Sequence, residues 1–120
     1  MKIAVSAKGN ELSSAVDPRF GRAAYFILYD TEDNSFEAIS NGENASAMQG
    51  AGVQAAQSVA SHQPDWVISG NIGPKAFTAF KAAGVKIAQW SDGTVEEAIK
   101  LIRDGKLSEI ADANVKAHWQ

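Results

Sequence analysis

The stretch Asp65–Phe77, DWVISGNIGPKAF, decides how the rest of the chain is arranged. Its apolar start, Trp66–Ile68, predicts a short buried strand. Pro74 opens an alanine-rich helical pattern, because proline is favoured at the first helical position. The glycines of the turn between them, Ser69–Gly73, let the backbone turn sharply and let a ligand approach it closely. A strand, a glycine turn and a helix start offer free amides to an anion, although an ordinary strand-to-helix turn is favoured on this segment alone.

The composition describes a single domain with a net negative charge and no thiols. The chain has 120 residues, of which 45% are hydrophobic and 21% charged, as in one globular domain. A formal net charge of −3 argues against bulk attraction to nucleic acid or to an anionic membrane. The lack of cysteine excludes disulfides, thiolate nucleophiles and cysteine-ligated iron–sulfur clusters. No stretch resembles a signal peptide or a membrane span, so we expect a cytoplasmic protein.

Hydrophobic patterning predicts strands and helices in the order β-β-β-α-β-α-β-α. The second and third strands form a hairpin around a polar turn. Gly84 is suited to the position just beyond the second helix, and Thr94 with Glu97 makes a capping box for the third. The predicted strands are residues 2–6, 25–30, 35–40, 66–68 and 85–89, and the predicted helices start near Gly50, at Pro74 and at Thr94.

This order of elements gathers several loops at one edge of the sheet. The later strands alternate with helices, so they are expected to be parallel and joined by right-handed crossovers. If the fourth strand pairs with the first, the chain changes direction there, and ligands in open α/β sheets bind at such points. A basic, glycine-rich edge on an acidic protein suggests a small anionic ligand. The residues of interest at this edge are Lys8, Arg19, Arg22, Met48, Gly50, Gly52, Gly70, Asn71, Ile72, Gly73, Lys75 and Trp90.

Several of these residues have a simpler alternative explanation. Arg19 and Arg22 could be solvated or paired with Asp17. Trp90 could belong to the core or cover a ligand. Lys75 falls in the first turn of its helix, where a cation is mildly unfavourable, and a bound anion would remove that conflict.

The segment Asp17–Phe26, DPRFGRAAYF, resembles the signature of the dinitrogenase iron–molybdenum cofactor biosynthesis family. The likeness covers roughly Met1–Leu107 as one domain and leaves residues 108–120 as a C-terminal tail. It implies a three-layer α/β/α, ribonuclease-H-like domain. The sheet would be mixed and five-stranded, in the order 3-2-1-4-5, with strand 2 antiparallel. The likeness continues through Gly50–Ala56, Gly70–Phe77, Gly84–Val85 and Thr94–Ile99.

The resemblance also implies a function, because members of this family bind or carry metal–sulfur cofactors or their precursors. The short, cysteine-free members that this chain resembles hold a mixed molybdenum–copper sulfide cluster non-covalently; other iron–sulfur or molybdenum–sulfur clusters are the alternative cargo. Such a cluster brings its own sulfides, so the protein supplies cations, amides and soft apolar contacts, including the thioether of Met48. We therefore predict that the twelve residues named above bind the cofactor, and that an ATPase protein is a partner. Many members have a histidine before the first helix; none lies between Asn41 and Ala51, so no metal ligand is assigned.

Two other functions fit parts of the pattern. The turn at Gly70 permits a phosphate- or nucleotide-binding module, although neither a Walker-type lysine–serine pair nor a dinucleotide fingerprint is present. A ribonuclease-H-type hydrolase needs clustered carboxylates for its metal ions, and the predicted strand 2–6 has none. The two histidines, His62 and His118, lie far apart in the sequence. We therefore assign no catalytic residue and do not expect an enzyme.

Overall fold

The computed structural model describes residues 1–42 and 50–111. In those ranges the chain forms strands and helices in the predicted order. The elements are β1 (Lys2–Ala7), β2 (Tyr25–Asp30), β3 (Ser35–Ser40), α1 (Ala51–Ala60), β4 (Trp66–Ser69), α2 (Pro74–Ala82), β5 (Lys86–Gln89) and α3 (Val95–Arg103).

The strands form one five-stranded mixed sheet in the order β3-β2-β1-β4-β5. β2 runs antiparallel to both of its neighbours, whereas β1, β4 and β5 are parallel. Val5 of β1 lies beside Ile68 of β4, which in turn lies beside Ala88 of β5. The predicted sheet order, with an antiparallel second strand, is confirmed. The chain changes direction between β1 and β4, and the loops that follow these two strands leave the sheet at the same edge.

Helices cover both faces of the sheet because the central strands are apolar on both sides. Consecutive residues of β1, Ala4 and Val5, belong to two different core clusters, because successive side chains of a strand point to opposite faces. The first cluster contains the buried faces of α1 and α2, and the second contains that of α3. The molecule therefore has three layers, with the sheet in the middle.

Local sequence signals set the ends of the helices. Pro74 occupies the start of α2, and Gly84, just beyond its end, has a left-handed backbone with φ of 77°. At the start of α3, the Glu97 N–H donates to the Thr94 hydroxyl oxygen at 3.2 Å, and the Thr94 N–H donates to the Glu97 carboxylate at 2.9 Å. The predicted capping box is therefore confirmed.

The long loop between β1 and β2 is anchored to the core. Its backbone makes short bridges to three other segments, pairing Ala7 with Val16, Ala15 with Thr94, and Arg19 with Asn71. Val16 and Phe20 are both only 2% exposed. The loop lacks visible periodicity in the sequence because these two apolar anchors belong to no regular element.

The segment after α3 returns to the edge of the sheet. The Ile110 N–H donates to the Ile87 carbonyl at 2.8 Å, and Lys81 lies 3.3 Å from the Glu109 carboxylate. The division between a domain ending at residue 107 and a tail stays a prediction. No helix in the described ranges has the length and apolar character needed to cross a membrane.

Candidate functional site

A pocket of about 320 Å³ opens where the starts of α1 and α2 meet the turn at Phe20 and Gly21. We call it the glycine pocket, because glycine is its most frequent lining residue. Within the part of the chain that the structure describes, none of its lining residues is acidic. These residues are Phe20, Gly21, Gly50, Gly52, Val53, Gly73, Pro74, Lys75 and Ala76.

Both helices begin at the glycine pocket without a side-chain cap. Gly50 precedes α1 in a left-handed conformation, with φ of 78°, and Gly73 precedes α2 in an extended one. Neither residue has a side chain that could accept from the first turn, and neither first turn contains an acidic residue. The first intrahelical bonds are those from Gln54 N–H to Gly50 O and from Phe77 N–H to Gly73 O. Amides earlier in each helix have no intrahelical acceptor, which is the arrangement that favours an anion at a helix start.

One wall of the glycine pocket depends on a very close contact between two glycines. A Cβ placed on Gly21 would lie 2.8 Å from both the Cα and the N of Gly52. The turn can therefore pack against the first turn of α1 only because residue 21 has no side chain. Asn41, which is 2% exposed, holds this turn by donating its side-chain N–H groups to the carbonyls of Gly21 at 3.3 Å and Ala23 at 2.8 Å.

The segment that leads to this wall is also joined to the turn after β4. The Asn71 N–H donates to the Pro18 carbonyl at 2.6 Å, and the Phe20 N–H donates to the Asn71 carbonyl at 3.1 Å. A Cβ on Gly70 would lie 2.8 Å from the Cα of Pro18. The two loops that the sequence singled out, Asp17–Arg22 and Gly70–Gly73, thus lie side by side at one edge of the sheet.

Buried polar groups fix the start of the Asp17–Arg22 loop. Asp17 is 2% exposed, and its carboxylate accepts from the N–H of Arg19 at 2.9 Å and from Nε of Arg19 at 3.4 Å. The hydroxyl of Ser6 donates to the Asp17 carbonyl at 2.7 Å and lies 2.8 Å from the hydroxyl of Ser69. The Arg19 side chain itself is 65% exposed, so its charge stays accessible at this edge. Asp17 restrains the Arg19 backbone N–H and Nε.

The predicted binding residues divide into three groups by position. Gly50, Gly52, Gly73 and Lys75 line the glycine pocket. Flanking positions are held by residues of the two joined loops, namely Arg19, Arg22, Gly70, Asn71 and Ile72, of which Ile72 is buried in the core.

Lys8 and Trp90 do not line the glycine pocket. Lys8 is exposed, and its N–H donates to the Ala15 carbonyl. Trp90 packs against the core cluster that α3 covers, on the other face of the sheet. Met48 lies outside the described residues. The roles of all these residues stay predictions.

The sequence assigned no binding role to the apolar residues of the glycine pocket and no hydrogen bonds to the buried Ser6, Asn41 and Ser69 behind it. Phe20, Gly21, Val53, Pro74 and Ala76 line the pocket. Each directly adjoins a predicted residue in the chain, which is the signal that could have found them. Ser6, Asn41 and Ser69 follow or end apolar strands, and nothing local distinguishes such a residue from an ordinary loop residue.

Larger hollows lie on the face of the sheet that α3 covers. One, of about 460 Å³, is lined by residues that include Tyr29, Glu96, Lys100, Arg103 and Asp104. Its two acidic residues balance its two basic ones, and Glu96 lies in the first turn of α3, so its charges give it no preference for an anion. In residues 1–42 and 50–111, no group of three or more histidine or acidic side chains gathers to hold a metal ion.

Comparison with known proteins gives a consistent relationship. Residues 1–105 match the family described as dinitrogenase iron–molybdenum cofactor. The apo form of the orange protein from Desulfovibrio gigas is 40% identical, with a TM-score of 0.92 over 95% of this chain and 96% of that one. An NMR structure of a Thermotoga protein of the DUF35 family is 38% identical, with a TM-score of 0.82 over 95% and 97%. An uncharacterized protein of Methanocaldococcus jannaschii is 33% identical over 111 residues, 91% of each chain.

Proposed function

The chain belongs to the dinitrogenase iron–molybdenum cofactor family, and from this premise we propose that it is a non-enzymatic carrier of an anionic metal–sulfur cluster. The proposed binding site is the glycine pocket. The proposed cargo is a mixed molybdenum–copper sulfide cluster, held non-covalently, with other iron–sulfur or molybdenum–sulfur clusters as alternatives. Support for the cargo comes from the family resemblance and from the likeness to the orange protein.

The observation that carries this proposal is the meeting of two uncapped helix starts at one glycine-lined pocket. Helix starts attract anions through free amides and through the positive end of the helix dipole. A hydrogen bond to a charged group contributes about 1.5–3 kcal/mol, so several amides converging on one anion can offset its desolvation. The sulfides of a metal–sulfur cluster are acceptors for such amides. No protein thiolate is needed.

Cations at the rim would supply the remaining attraction. Lys75 lines the glycine pocket, and Arg19 and Arg22 flank the Phe20–Gly21 turn in the sequence. Their charges would raise the affinity and the association rate of an anion in a protein whose net charge is negative. The proposal does not depend on Lys8 or Trp90, which do not line the pocket, or on Met48.

Reconstitution tests this function. The apo protein would be incubated anaerobically with tetrathiomolybdate and copper, desalted, and analysed for retained metal and for visible absorption. We expect a coloured protein with stoichiometric molybdenum and copper. The double variant Arg19→Ala, Lys75→Ala should retain much less metal, because it removes two positive charges beside the amides.

A matched control removes the same charge elsewhere. The double variant Lys100→Ala, Lys106→Ala changes two exposed lysines on or just after α3, far from the glycine pocket. It should retain metal as the unaltered chain does. If both double variants lost equal amounts of retained metal, the effect would come from the overall charge of the protein and not from the pocket. A colourless, metal-free product from the unaltered chain would contradict the proposal.

The reconstituted protein also distinguishes a cluster carrier from the alternative function. A phosphate- or nucleotide-binding module would use the same helix starts, so excess phosphate or ATP should displace the cluster if that function is correct. Two finer points also stay proposals. They are that the fold is of the ribonuclease-H type and that an ATPase partner delivers or receives the cluster.

A further inference from the structure

We propose that the apolar wall of the glycine pocket selects sulfide-bearing anions over oxide-bearing anions of the same shape and charge, and that Val53 is the residue that sets this preference. The inference rests on the proposed function and goes further, because it names the chemical class that the site discriminates.

The pocket lining combines few charges with much apolar surface. Lys75 is the one charged residue among the described residues that line it. The glycines expose backbone amides, and the other side chains are those of Phe20, Val53, Pro74 and Ala76. An anion bound here would therefore contact amides on some sides and hydrocarbon on the others.

The apolar wall is also held in place by the core. Phe20 is 2% exposed, and its ring lies 5.0 Å from that of Phe26 and 5.4 Å, edge-on, from that of Phe80. Ala76 is likewise 2% exposed. Close-packed aromatic groups of this kind do not move aside to admit a hydration shell. A bound anion must lose water on this side.

The loss of water at the apolar wall costs an oxide-bearing anion more free energy than a sulfide-bearing one. Molybdate and tetrathiomolybdate are both tetrahedral dianions, so neither the amides nor Lys75 separates them by charge or shape. The compact oxygens hold water strongly, and placing them against hydrocarbon leaves hydrogen-bonding capacity unmet. The larger, more polarisable sulfurs lose less hydration and gain dispersion contacts with the wall.

This selectivity can be tested at Val53 by replacing one methyl group with a hydroxyl. It is the third residue of α1, lines the glycine pocket and is only partly buried, unlike the core valines of the strands. Threonine has the same branched shape as valine and replaces one methyl group with a hydroxyl. The variant Val53→Thr therefore changes the polarity of the wall while keeping its shape and charge.

The experiment measures two dissociation constants for each protein, by anaerobic equilibrium dialysis of the full-length apo chain against molybdate and against tetrathiomolybdate. In the unaltered chain, tetrathiomolybdate should bind more tightly. In Val53→Thr, the ratio of the two constants should fall by about three- to tenfold, as expected for one altered wall contact. Lys75→Ala should weaken both anions alike and leave the ratio unchanged.

The outcomes separate this inference from the function on which it rests. If neither anion binds the unaltered chain, the selectivity inference is wrong, and the reconstitution with tetrathiomolybdate and copper decides the carrier function separately. If both anions bind with equal affinity, or if the ratio is the same in Val53→Thr, the selectivity inference is overturned and the carrier function stands.

Discussion

At the scale of single residues, the site depends on positions where a side chain is excluded. Gly21 contacts backbone atoms of Gly52, which cannot rotate away as a side chain could. The substitution Gly21→Ala should therefore reduce the free energy of unfolding by about 1–3 kcal/mol, the usual range for overpacking. It should also lower metal retention, because the turn would move away from α1. Urea unfolding with a parallel reconstitution measures both effects.

Gly73→Ala is the matched control for that variant. A Cβ at Gly73 would meet nothing within 4 Å, and its φ of −71° suits any residue. We expect its free energy of unfolding to stay within about 0.5 kcal/mol of the unaltered value. If Gly21→Ala and Gly73→Ala lowered the free energy of unfolding equally, the close contact between Gly21 and Gly52 would not limit what residue 21 can be.

Asn41 gives a second prediction at this scale. Its side-chain amide donates to two carbonyls of the turn while almost fully buried. Asn41→Asp keeps the shape and replaces the donor NH2 group with a second side-chain oxygen, leaving those carbonyls without that partner. We expect a loss of about 1–3 kcal/mol in the free energy of unfolding, measured at neutral pH by thermal denaturation. Asn10→Asp, at an exposed loop position, should have little effect, and equal losses would contradict the role given to Asn41.

Single residues also mark the limit of what the sequence could predict. Gly50, Gly52, Gly73 and Lys75 were predictable because each lies at the start of a helix whose pattern is local. The hydrogen bonds of the Asn41 side chain were not predictable, since their acceptors are 18 and 20 residues away in the chain. Hydrogen bonds of that kind follow from the tertiary arrangement of loops, which no local pattern encodes.

At the scale of elements, α2 carries a conflict that the proposed function explains. Lys75 lies in its first turn, where the helix dipole disfavours a cation. Lys75→Ala should therefore raise the free energy of unfolding of the apo protein by a few tenths of a kcal/mol. The same variant should retain less cluster on reconstitution. A variant that lost both stability and cluster would indicate a structural role for Lys75 instead.

The cap of α3 provides a prediction in which stability falls and cluster retention does not change. Thr94 and Glu97 satisfy each other's backbone amides at a helix start that faces away from the glycine pocket. Thr94→Ala should lower the free energy of unfolding by about 1 kcal/mol. Cluster retention, measured below the unfolding transition, should not change. A loss of retention would show that the pocket is coupled to α3.

Helices and strands were predicted well because their signals are local. Pro74, Gly84 and the pair Thr94 and Glu97 mark helix ends directly in the sequence, and the structure has them in those places. The long loop after β1 could not be predicted in the same way. Its order comes from pairing with Thr94 and Asn71, residues that are distant in the chain.

At the scale of the whole molecule, the position of the site follows from topology. The strand order 3-2-1-4-5 brings the turn after β4 next to the loop after β1, at the point where the chain changes direction. The acidic residues Glu32, Asp33 and Glu37 lie in or beside the hairpin turn, at the opposite end of the sheet. The sequence predicted the basic, glycine-rich edge. It could not predict which loops would enclose a pocket, because that depends on the close contact between Gly21 and Gly52.

The central claim is that the amides of two helix starts hold the anion. Two-dimensional ¹⁵N–¹H spectra of the protein, recorded during titration with tetrathiomolybdate and copper(I), test it most directly. We expect the largest shifts on the amides of Gly21, Gly52, Val53, Lys75 and Ala76, which line the pocket. Shifts confined to the α3 face, around Trp90, Lys100 and Arg103, would contradict it.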